Sequence, residues 1–84
     1  MLASINAVSG PVVEVVFAGE GRVQLPPLGS LMTTMIRGAA RAEPLLMEVR
    51  RHADHDRVQA IAFGDTRGLV VGEAVEWSGE PPQV

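Results

Sequence analysis

The stretch that decides the fold is Leu45-Leu46-Met47-Glu48-Val49-Arg50-Arg51. Leu45, Met47 and Val49 lie two residues apart, and the charged Glu48 stands between the last two. Successive side chains of a strand point to opposite faces, so this spacing indicates one face turned inward and one turned to water. The sequence therefore predicts a half-buried β-strand over residues 45–51.

The same two-residue period recurs in short segments along the rest of the chain. These segments are Ala3–Ala7, Val12–Phe17, Leu31–Ile36, Arg57–Phe63, Leu69–Val71 and Ala74–Trp77. β-Branched residues are dense in the second segment, where Val13, Val15 and Phe17 share one face. Glycine or proline lies between most of the segments. Together with residues 45–51 the segments predict about six strands, the last of which come from Leu69–Val71 and Ala74–Trp77 on either side of Gly72.

The connecting segments are rich in turn-forming residues. They are Ser9-Gly10-Pro11, Ala18–Arg22, Ala39–Glu43, His52–Asp56 and Gly64–Gly68. We expect turns or loops at each of them, with a hairpin loop at the second. Leu25-Pro26-Pro27-Leu28 is not a central strand, because adjacent prolines remove two backbone donors. We expect it to be an extended connection whose leucines reach the core.

One segment has an alternative structure. A short helix capped by Ser30 is the alternative to a strand over Leu31–Ile36. The pair Thr33-Thr34 disfavours the helix, because β-branched residues lose side-chain freedom there. The strand is therefore the preferred prediction.

Together the segments predict an all-β fold: a small, closed, six-stranded antiparallel β-barrel with no substantial helix. Closure hides strand edges that would otherwise aggregate, and the short alternating strands favour a barrel over a sandwich. We expect the barrel to occupy residues 1–79 and a linker to begin at residues 80–84. Phe17 and Phe63 are interpreted as core residues. Trp77 packs either under the barrel or against a following domain or neighbouring subunit, and the sequence leaves both open.

Composition excludes several classes of protein. The chain has no cysteine and 46% hydrophobic residues, so its core needs neither disulfides nor thiolate-bound metal. Its seven basic residues are all arginine and its net charge is −3, which argues against binding phosphate backbones. No apolar run approaches the roughly 20 residues of a membrane span, and no signal-peptide pattern is present. A cytoplasmic location is the expectation.

No motif predicts catalytic, cofactor-binding or metal-binding residues. His52-Ala53-Asp54-His55-Asp56 offers imidazole and carboxylate ligands suited to zinc or nickel, but no third fixed ligand stands elsewhere. A solvated turn is therefore favoured there. The glycine-flanked loop Gly64–Gly68 is not a phosphate-binding loop, because that motif requires a lysine and a following helix. No serine stands in Gly-x-Ser-x-Gly, and the acids are interpreted as solvated surface groups.

Six segments, in the same order along the chain, resemble the opening strands of the F-type ATP synthase β subunit. They are Ile5–Phe17, Leu25–Leu28 with Leu31, Leu45–Val49 with His52, Arg57–Phe63, Thr66–Gly72 and Ser78–Pro81. They are similar to that family's Val-Val-Asp-Val-x-Phe, Leu-Pro-x-Ile, Leu-x-Leu-Glu-Val-x-x-His, Val-Arg-x-Ile-Ala-Met, Thr-Asp-Gly-Leu-x-Arg-Gly and Thr-Gly-x-Pro segments. Residues 52–56, Val71 and Trp77-Ser78 depart from the pattern, which points to a divergent or alternative F-type complex.

The resemblance implies an N-terminal assembly domain that contacts neighbouring α subunits in the alternating hexamer of the catalytic head. ATP or ADP and Mg would belong to a following nucleotide-binding domain, with residues 80–84 starting the linker to it. The full-length subunit would catalyse ATP synthesis or hydrolysis coupled to proton or sodium transport. The complex would lie peripherally on the inner face of the cell membrane. No nucleic-acid partner and no membrane insertion are expected, and no catalytic, cofactor or metal residue of the family maps onto this chain.

Two other functions stay open from the residues alone. The first is a free-standing small barrel that binds a protein, a peptide or a nucleic acid, because small barrels support many functions. The second is an enzyme that uses a metal at His52 and His55.

Overall fold

The backbone forms strands joined by loops and turns. The computed structural model describes residues 2–19, 23–37 and 42–77. Its six strands are β1 (Leu2–Ser9), β2 (Val12–Ala18), β3 (Leu31–Arg37), β4 (Ala42–Asp54), β5 (Arg57–Ala62) and β6 (Val75–Glu76). All pairings between them are antiparallel, and the described ranges contain no helix. The short helix at Ser30 is therefore excluded in favour of β3.

One sheet carries all six strands in the order β1-β2-β5-β4-β3-β6, and its two ends meet. Ser4 of β1 bridges Ala74, just before β6. The N–H of Ile5 donates to the Glu73 carbonyl at 2.9 Å, and the N–H of Gly72 donates to the Ile5 carbonyl at 2.8 Å. These contacts nearly close the sheet into a barrel and confirm the predicted fold.

The interior is filled by the inward rows of the strands. The buried apolar side chains are Ile5, Val13, Val15, Phe17, Met32, Leu45, Met47, Val49, Val58, Ala60, Ala62 and Val75. The alternation over residues 45–51 therefore predicts the inward row of β4 correctly, as does the alternation over Val12–Phe17 for β2. Burying one large apolar side chain contributes about 1.5–3 kcal/mol, so these rows supply the main stabilisation.

β1 departs from simple alternation. Its register against β2 shifts between Ile5 and Ala7, which is a β-bulge. The prediction that Ala7 shares the inward face with Ile5 is wrong: Ala7 is exposed, and Val8 packs against the core instead. An extra residue in one strand moves every later side chain to the other face.

β4 is longer than predicted at both ends. Ala42 and Glu43, expected to belong to a loop, pair with Arg37 and Ile36 of β3. The rest of that predicted loop, residues 39–41, lies outside the described ranges. At the other end the strand continues to Asp54, so the turn predicted over residues 52–56 narrows to His55 and Asp56.

Pro44 fits within β4 because of the direction of its missing donor. The Leu46 carbonyl accepts a hydrogen bond from the Phe63 N–H at 2.9 Å, so the even-numbered residues here direct their backbone groups towards β5. β5 ends at Ala62, opposite Met47. The Pro44 nitrogen therefore faces a position with no neighbouring strand, where a proline is tolerated.

One end of the barrel, called the lower end below, lies next to the β4–β5 turn and is covered by residues 23–30. Leu25 packs against the core, as expected, whereas Leu28 is 62% exposed and contradicts the prediction for that leucine; Pro26 between them is fully buried. A turn places Gly29 at φ 88°, and its N–H donates to the Val49 carbonyl at 2.8 Å. The extended connection is thus tied to β4 through its backbone.

The predicted hairpin loop at residues 18–22 does not join neighbouring strands. Part of it, residues 20–22, lies outside the described ranges. β2 has β1 and β5 as its neighbours, and the strand that follows it in sequence, β3, pairs with β4 and β6. The segment is therefore a connection between distant strands.

The upper end is covered by residues 63–74, where one predicted strand is absent. Leu69–Val71 forms turns instead: the Leu69 N–H donates to the Thr66 carbonyl and the Glu73 N–H to the Val70 carbonyl, each at 3.1 Å. Gly72, at φ 96°, takes the left-handed position of the second turn. Leu69 packs against the core, whereas Val70 and Val71 are exposed.

Candidate interaction surface

The β4–β5 hairpin carries the residues considered for a metal site. His52 is held through Nε2, which lies 2.7 Å from the Pro26 carbonyl oxygen. His55 bonds within the turn, with its Nδ1 3.0 Å from Asp54 Oδ1. Ligating atoms of Asp54, His55 and Asp56 lie within 4.8 Å of one another, and His52 is not part of that group. The structure therefore does not join the two histidines into one ligand set.

Hydrogen bonds within the turn explain its electrostatics. The backbone N–H of His55 donates to Asp54 Oδ1 at 2.7 Å, and this bond, followed by the bond from the His55 ring, lowers the pKa of Asp54 below its ordinary 3.8. Asp54 also faces Arg57 Nη2 at 3.8 Å. The cluster is an exposed hairpin turn whose charges interact locally. That residues 52–56 are a solvated turn that binds no metal stays a prediction.

The glycine-flanked loop at residues 64–68 is closed on itself. Arg67 donates to Asp65 from both its backbone N–H and its Nε, each at 2.9 Å. These bonds, the side-chain one first, lower the pKa of Asp65. The side-chain bond, together with the negative charge of Asp65, raises the pKa of Arg67. Thr66 Oγ1 donates to the Gly10 carbonyl at 2.7 Å and ties the loop to the β1–β2 turn. The loop thus bonds to itself and to the β1–β2 turn, and it helps to hold the upper end of the barrel in place.

Trp77 directly follows β6, and its packing agrees with the first of its two predicted positions, whereas a contact with another domain or subunit stays a prediction. It is half-buried and packs against the core, and its Nε1 is buried without a partner among the described residues. It also lines an outer groove of about 700 Å³ together with Leu2, Leu31 and Thr33. The residue therefore belongs to the barrel and borders its surface.

The outer surface of β3 and β4 exposes several apolar residues beside polar ones such as Thr33, Arg37 and Glu48. We define the β3–β4 face as the exposed residues Leu31, Met35, Pro44, Leu46 and Phe63. Phe63 is 57% exposed and Leu46 is 47% exposed. The prediction that Phe63 fills the core is wrong, because Ala60 and Ala62 belong to the inward row of β5 and the next residue continues the outward row.

The strand register makes these residues neighbours. Met35 lies opposite Pro44, and Leu31 lies opposite Glu48. Leu46 is joined to Phe63 by a backbone hydrogen bond of 2.9 Å. Facing residues of adjacent strands have side chains about 5 Å apart. Leu46 faces the half-buried Thr33, so the face is a mixed patch in which apolar residues lie beside Thr33 and Glu48.

Charges border the patch along β4. Arg50 Nη1 lies 3.2 Å from Glu48 Oε2, and the side chain of Arg50 is 61% exposed. An apolar patch rich in leucine, methionine and phenylalanine with a charged border is typical of a protein–protein contact.

Sequence alternation identified the inner residues of β4 but not this face. Leu46 stands between two inward residues, where alternation predicts a polar side chain. That exception was the available signal for Leu46, and for Phe63 the signal was the two-residue period through Ala60 and Ala62, which leaves position 63 on the outer side.

No helix in the described parts of the chain is long and apolar enough to cross a membrane.

Comparison with known proteins agrees with this architecture. Residues 5–79 match the model of the ATP synthase alpha/beta family, beta-barrel domain. The chain belongs to this family. The ATP synthase subunit beta 2 of Burkholderia mallei strain SAVP1 is 42% identical over 80 residues, which is 95% of this chain and 14% of that protein. The subunit of the same name from Burkholderia thailandensis strain E264 gives the same identity and coverage.

The resemblance noted in the sequence is thereby confirmed for the barrel domain. The chain spans only 14% of the length of these relatives.

Proposed function

We propose that this chain is a non-catalytic assembly domain of an F-type ATP synthase β subunit. Its β3–β4 face packs against the barrel domain of a neighbouring α subunit and helps to hold the alternating hexamer together. The whole subunit catalyses ATP synthesis or hydrolysis coupled to proton or sodium transport, in a complex attached to the inner face of the cell membrane. ATP or ADP and Mg bind outside residues 1–79.

The observation that carries this proposal is the exposed apolar face on a barrel of the alpha/beta family. Leu46 and Phe63 expose about half of their surface to water although both lie in or beside a regular sheet. Covering each such side chain by a partner recovers part of the hydrophobic free energy that exposure withholds. Relatives over the same 80 residues carry the name ATP synthase subunit beta 2, which supports placing the contact within that complex.

The sequence supports the non-catalytic part of the proposal. A phosphate-binding loop needs a lysine after its last glycine, and the 84 residues contain none. The loop between Gly64 and Gly68 uses the Arg67 N–H for its own Asp65, so that donor is already engaged. We therefore assign no nucleotide contact to residues 1–79.

The assembly role is tested by binding to the α-subunit barrel domain of the same complex. Calorimetry should detect a one-to-one association of the two barrels. Leu46→Glu should weaken it at least tenfold, because a charge would be buried in the contact. Leu28→Glu is the matched control: Leu28 is 62% exposed at the lower end of the barrel, outside the β3–β4 face. Equal binding by the wild-type chain and Leu46→Glu would contradict the proposed contact.

A second titration tests the non-catalytic assignment. Mg-ATP added to the 84-residue chain should give no saturable heat. Stoichiometric binding would show that this part of the subunit has a nucleotide site of its own and would overturn the assignment.

A further inference from the structure

We propose that residues 23–30 form a strap that opens and closes over the lower end of the barrel without global unfolding, and that His52 is its latch. The strap belongs to the connection between β2 and β3. The inference is independent of the assembly role, because it concerns the lower end of the barrel. It rests on where the strap is bonded and on which ring nitrogen of His52 makes the bond.

The first half of the strap has few groups that can bond to the barrel. Pro26 and Pro27 have no backbone N–H, and the Pro27 carbonyl accepts its bond from the Ser30 N–H within the strap at 3.1 Å. Among the described residues, the contact of 2.7 Å between His52 Nε2 and the Pro26 carbonyl is the one hydrogen bond that joins residues 23–27 to the barrel. Apolar packing, above all of the fully buried Pro26, supplies the remaining attachment.

The second half of the strap is bonded to one residue of β4. The Gly29 N–H donates to the Val49 carbonyl at 2.8 Å, and the Val49 N–H donates to the Ser30 carbonyl at 2.9 Å. His52 belongs to the same strand, so within the described ranges β4 carries every hydrogen bond that ties the strap to the barrel. A segment bonded to a single strand can detach while the other strands stay paired, which is how local opening occurs in folded proteins.

A depression of about 500 Å³ lies between the first half of the strap and the β4–β5 turn. It is lined by Val23, Gln24, Leu25, His52 and His55. The strap is therefore not packed flat against the turn, and His52 is the side chain of this depression that bonds to it. Loss of that bond would leave the first half of the strap held by apolar contacts alone.

The bond to the strap fixes the position of the proton on the His52 ring. A carbonyl oxygen only accepts hydrogen bonds, so Nε2 carries the proton that is donated to Pro26. In the neutral ring Nδ1 is then unprotonated. His55 has the opposite arrangement, because its Nδ1 lies 3.0 Å from a carboxylate oxygen of Asp54 and donates its proton there. The two histidines therefore have opposite tautomers, and only the tautomer of His52 can hold the strap.

Amide hydrogen exchange of the chain, followed by NMR, tests the opening. The Gly29 and Val49 N–H groups should exchange together and faster than the amides of β5, which lies between β2 and β4. Their exchange should hardly change in dilute urea, because opening a short segment exposes little surface. Exchange as slow as that of β5, with the same urea dependence, would mean that the strap opens only on global unfolding and would overturn the proposal.

Variants of the two histidines test the latch. His52→Ala should speed the exchange of both amides about two- to tenfold, the range expected for the loss of one hydrogen bond. His52→Gln should restore the wild-type rate, because its amide nitrogen can take the place of Nε2, whereas the shorter His52→Asn reaches only the place of Nδ1 and should not. His55→Ala is the matched control and should leave the exchange unchanged. Equal exchange in the wild type and His52→Ala, or rescue by Asn and not by Gln, disproves the latch.

Nitrogen NMR spectra of the imidazole rings give a test on the wild-type chain, which stands even if a variant does not fold. In its neutral form His52 should show a protonated Nε2 and an unprotonated Nδ1, and His55 should show the reverse. A protonated Nδ1 in neutral His52 is incompatible with the bond to Pro26 and would overturn the role of His52.

Discussion

The outer surface of β1 and β2 differs from that of β3 and β4, although both pairs of strands supply the same kind of inner row. On the first surface the side chains of Asn6 and Glu14 bond to each other and face water. On the second, the apolar side chains of Leu46 and Phe63 face water, although neither can form hydrogen bonds with it. The inner rows hold the barrel together. Leu2 of β1 is also 78% exposed, so the contact proposed for the β3–β4 face rests on the clustering of Leu46 and Phe63 there and not on exposure alone.

Adjacent residues of β4 give the largest expected contrast. Met47→Ala should lower the free energy of unfolding by about 2–5 kcal/mol, because Met47 is fully buried and truncation leaves a cavity. Leu46→Ala should change it by about 0.5 kcal/mol or less, because the side chain is already half in water. Urea denaturation of the two variants measures both values. Equal losses would mean that Leu46 supports the fold and is not reserved for a partner.

The glycines of the upper loop test how firmly it is fixed to each side of the barrel. Gly68 and Gly72 have φ of 94° and 96°, so alanine is strained at both. A Cβ on Gly68 would also lie 3.1 Å from Ile36 Cγ2 of β3, whereas a Cβ on Gly72 would meet nothing. Gly68→Ala should therefore cost about 2 kcal/mol and Gly72→Ala less. Thermal unfolding ranks them, and the reverse order would show that the loop does not pack tightly on β3.

Two neighbouring threonines of β3 repeat the contrast on a smaller scale. Thr34 is buried, and its Oγ1 donates to the Ala74 carbonyl at 2.8 Å, beside the bridge that closes the barrel. Thr34→Val should cost about 1 kcal/mol, since the carbonyl loses its partner. Thr33→Val, on the outer side, should be nearly neutral. Denaturant midpoints of the two variants, measured under the same conditions, test this difference. If Thr34→Val is as stable as the wild type, the bond from Thr34 to Ala74 does not help to close the barrel.

The smallest expected effect is the pH dependence of folding stability that comes from the Asp65–Arg67 interaction in the upper loop. The pKa of Asp65 is lowered by Arg67, so its charged form stabilises the folded chain above pH 3.8, and this contribution is lost as pH falls through the lowered value. Asp65→Asn should be slightly less stable than wild type near pH 6, with the difference vanishing in stronger acid. Arg67→Gln should show the same loss near pH 6. A difference that grows on acidification would give the wrong sign and exclude this cause.

The inner half of the fold could be predicted from sequence because burial imposes a period. Residues 45–51 and 12–17 alternate since every second side chain must avoid water. No comparable rule governs the outer side chains, whose neighbours are set by register and by strand ends. The size of Phe63 favours a place in the core, but the period that puts Ala60 and Ala62 inside leaves it on the outer side.

Local sequence was also insufficient where glycine competes with β-branched residues. Leu69–Val71 has the composition of a strand, yet Gly68 and Gly72 impose two turns on it. Pro44 is the opposite case: a proline usually breaks a strand, but β4 continues through Pro44 because its nitrogen faces a position without a neighbouring strand. Both outcomes depend on which strand lies alongside, and that information is not local.

The closing bridge has a consequence for how the chain is made. Ser4 and Ala74 are about 70 residues apart, so they join the two ends of almost the whole described chain. Contacts of such long range form late, because the chain between them must already be ordered. A ribosome releases β1 and β2 long before Ala74 emerges. During that interval one edge of β1 has no partner, and the nascent barrel is most open to misassociation while its last two strand residues are still in the exit tunnel.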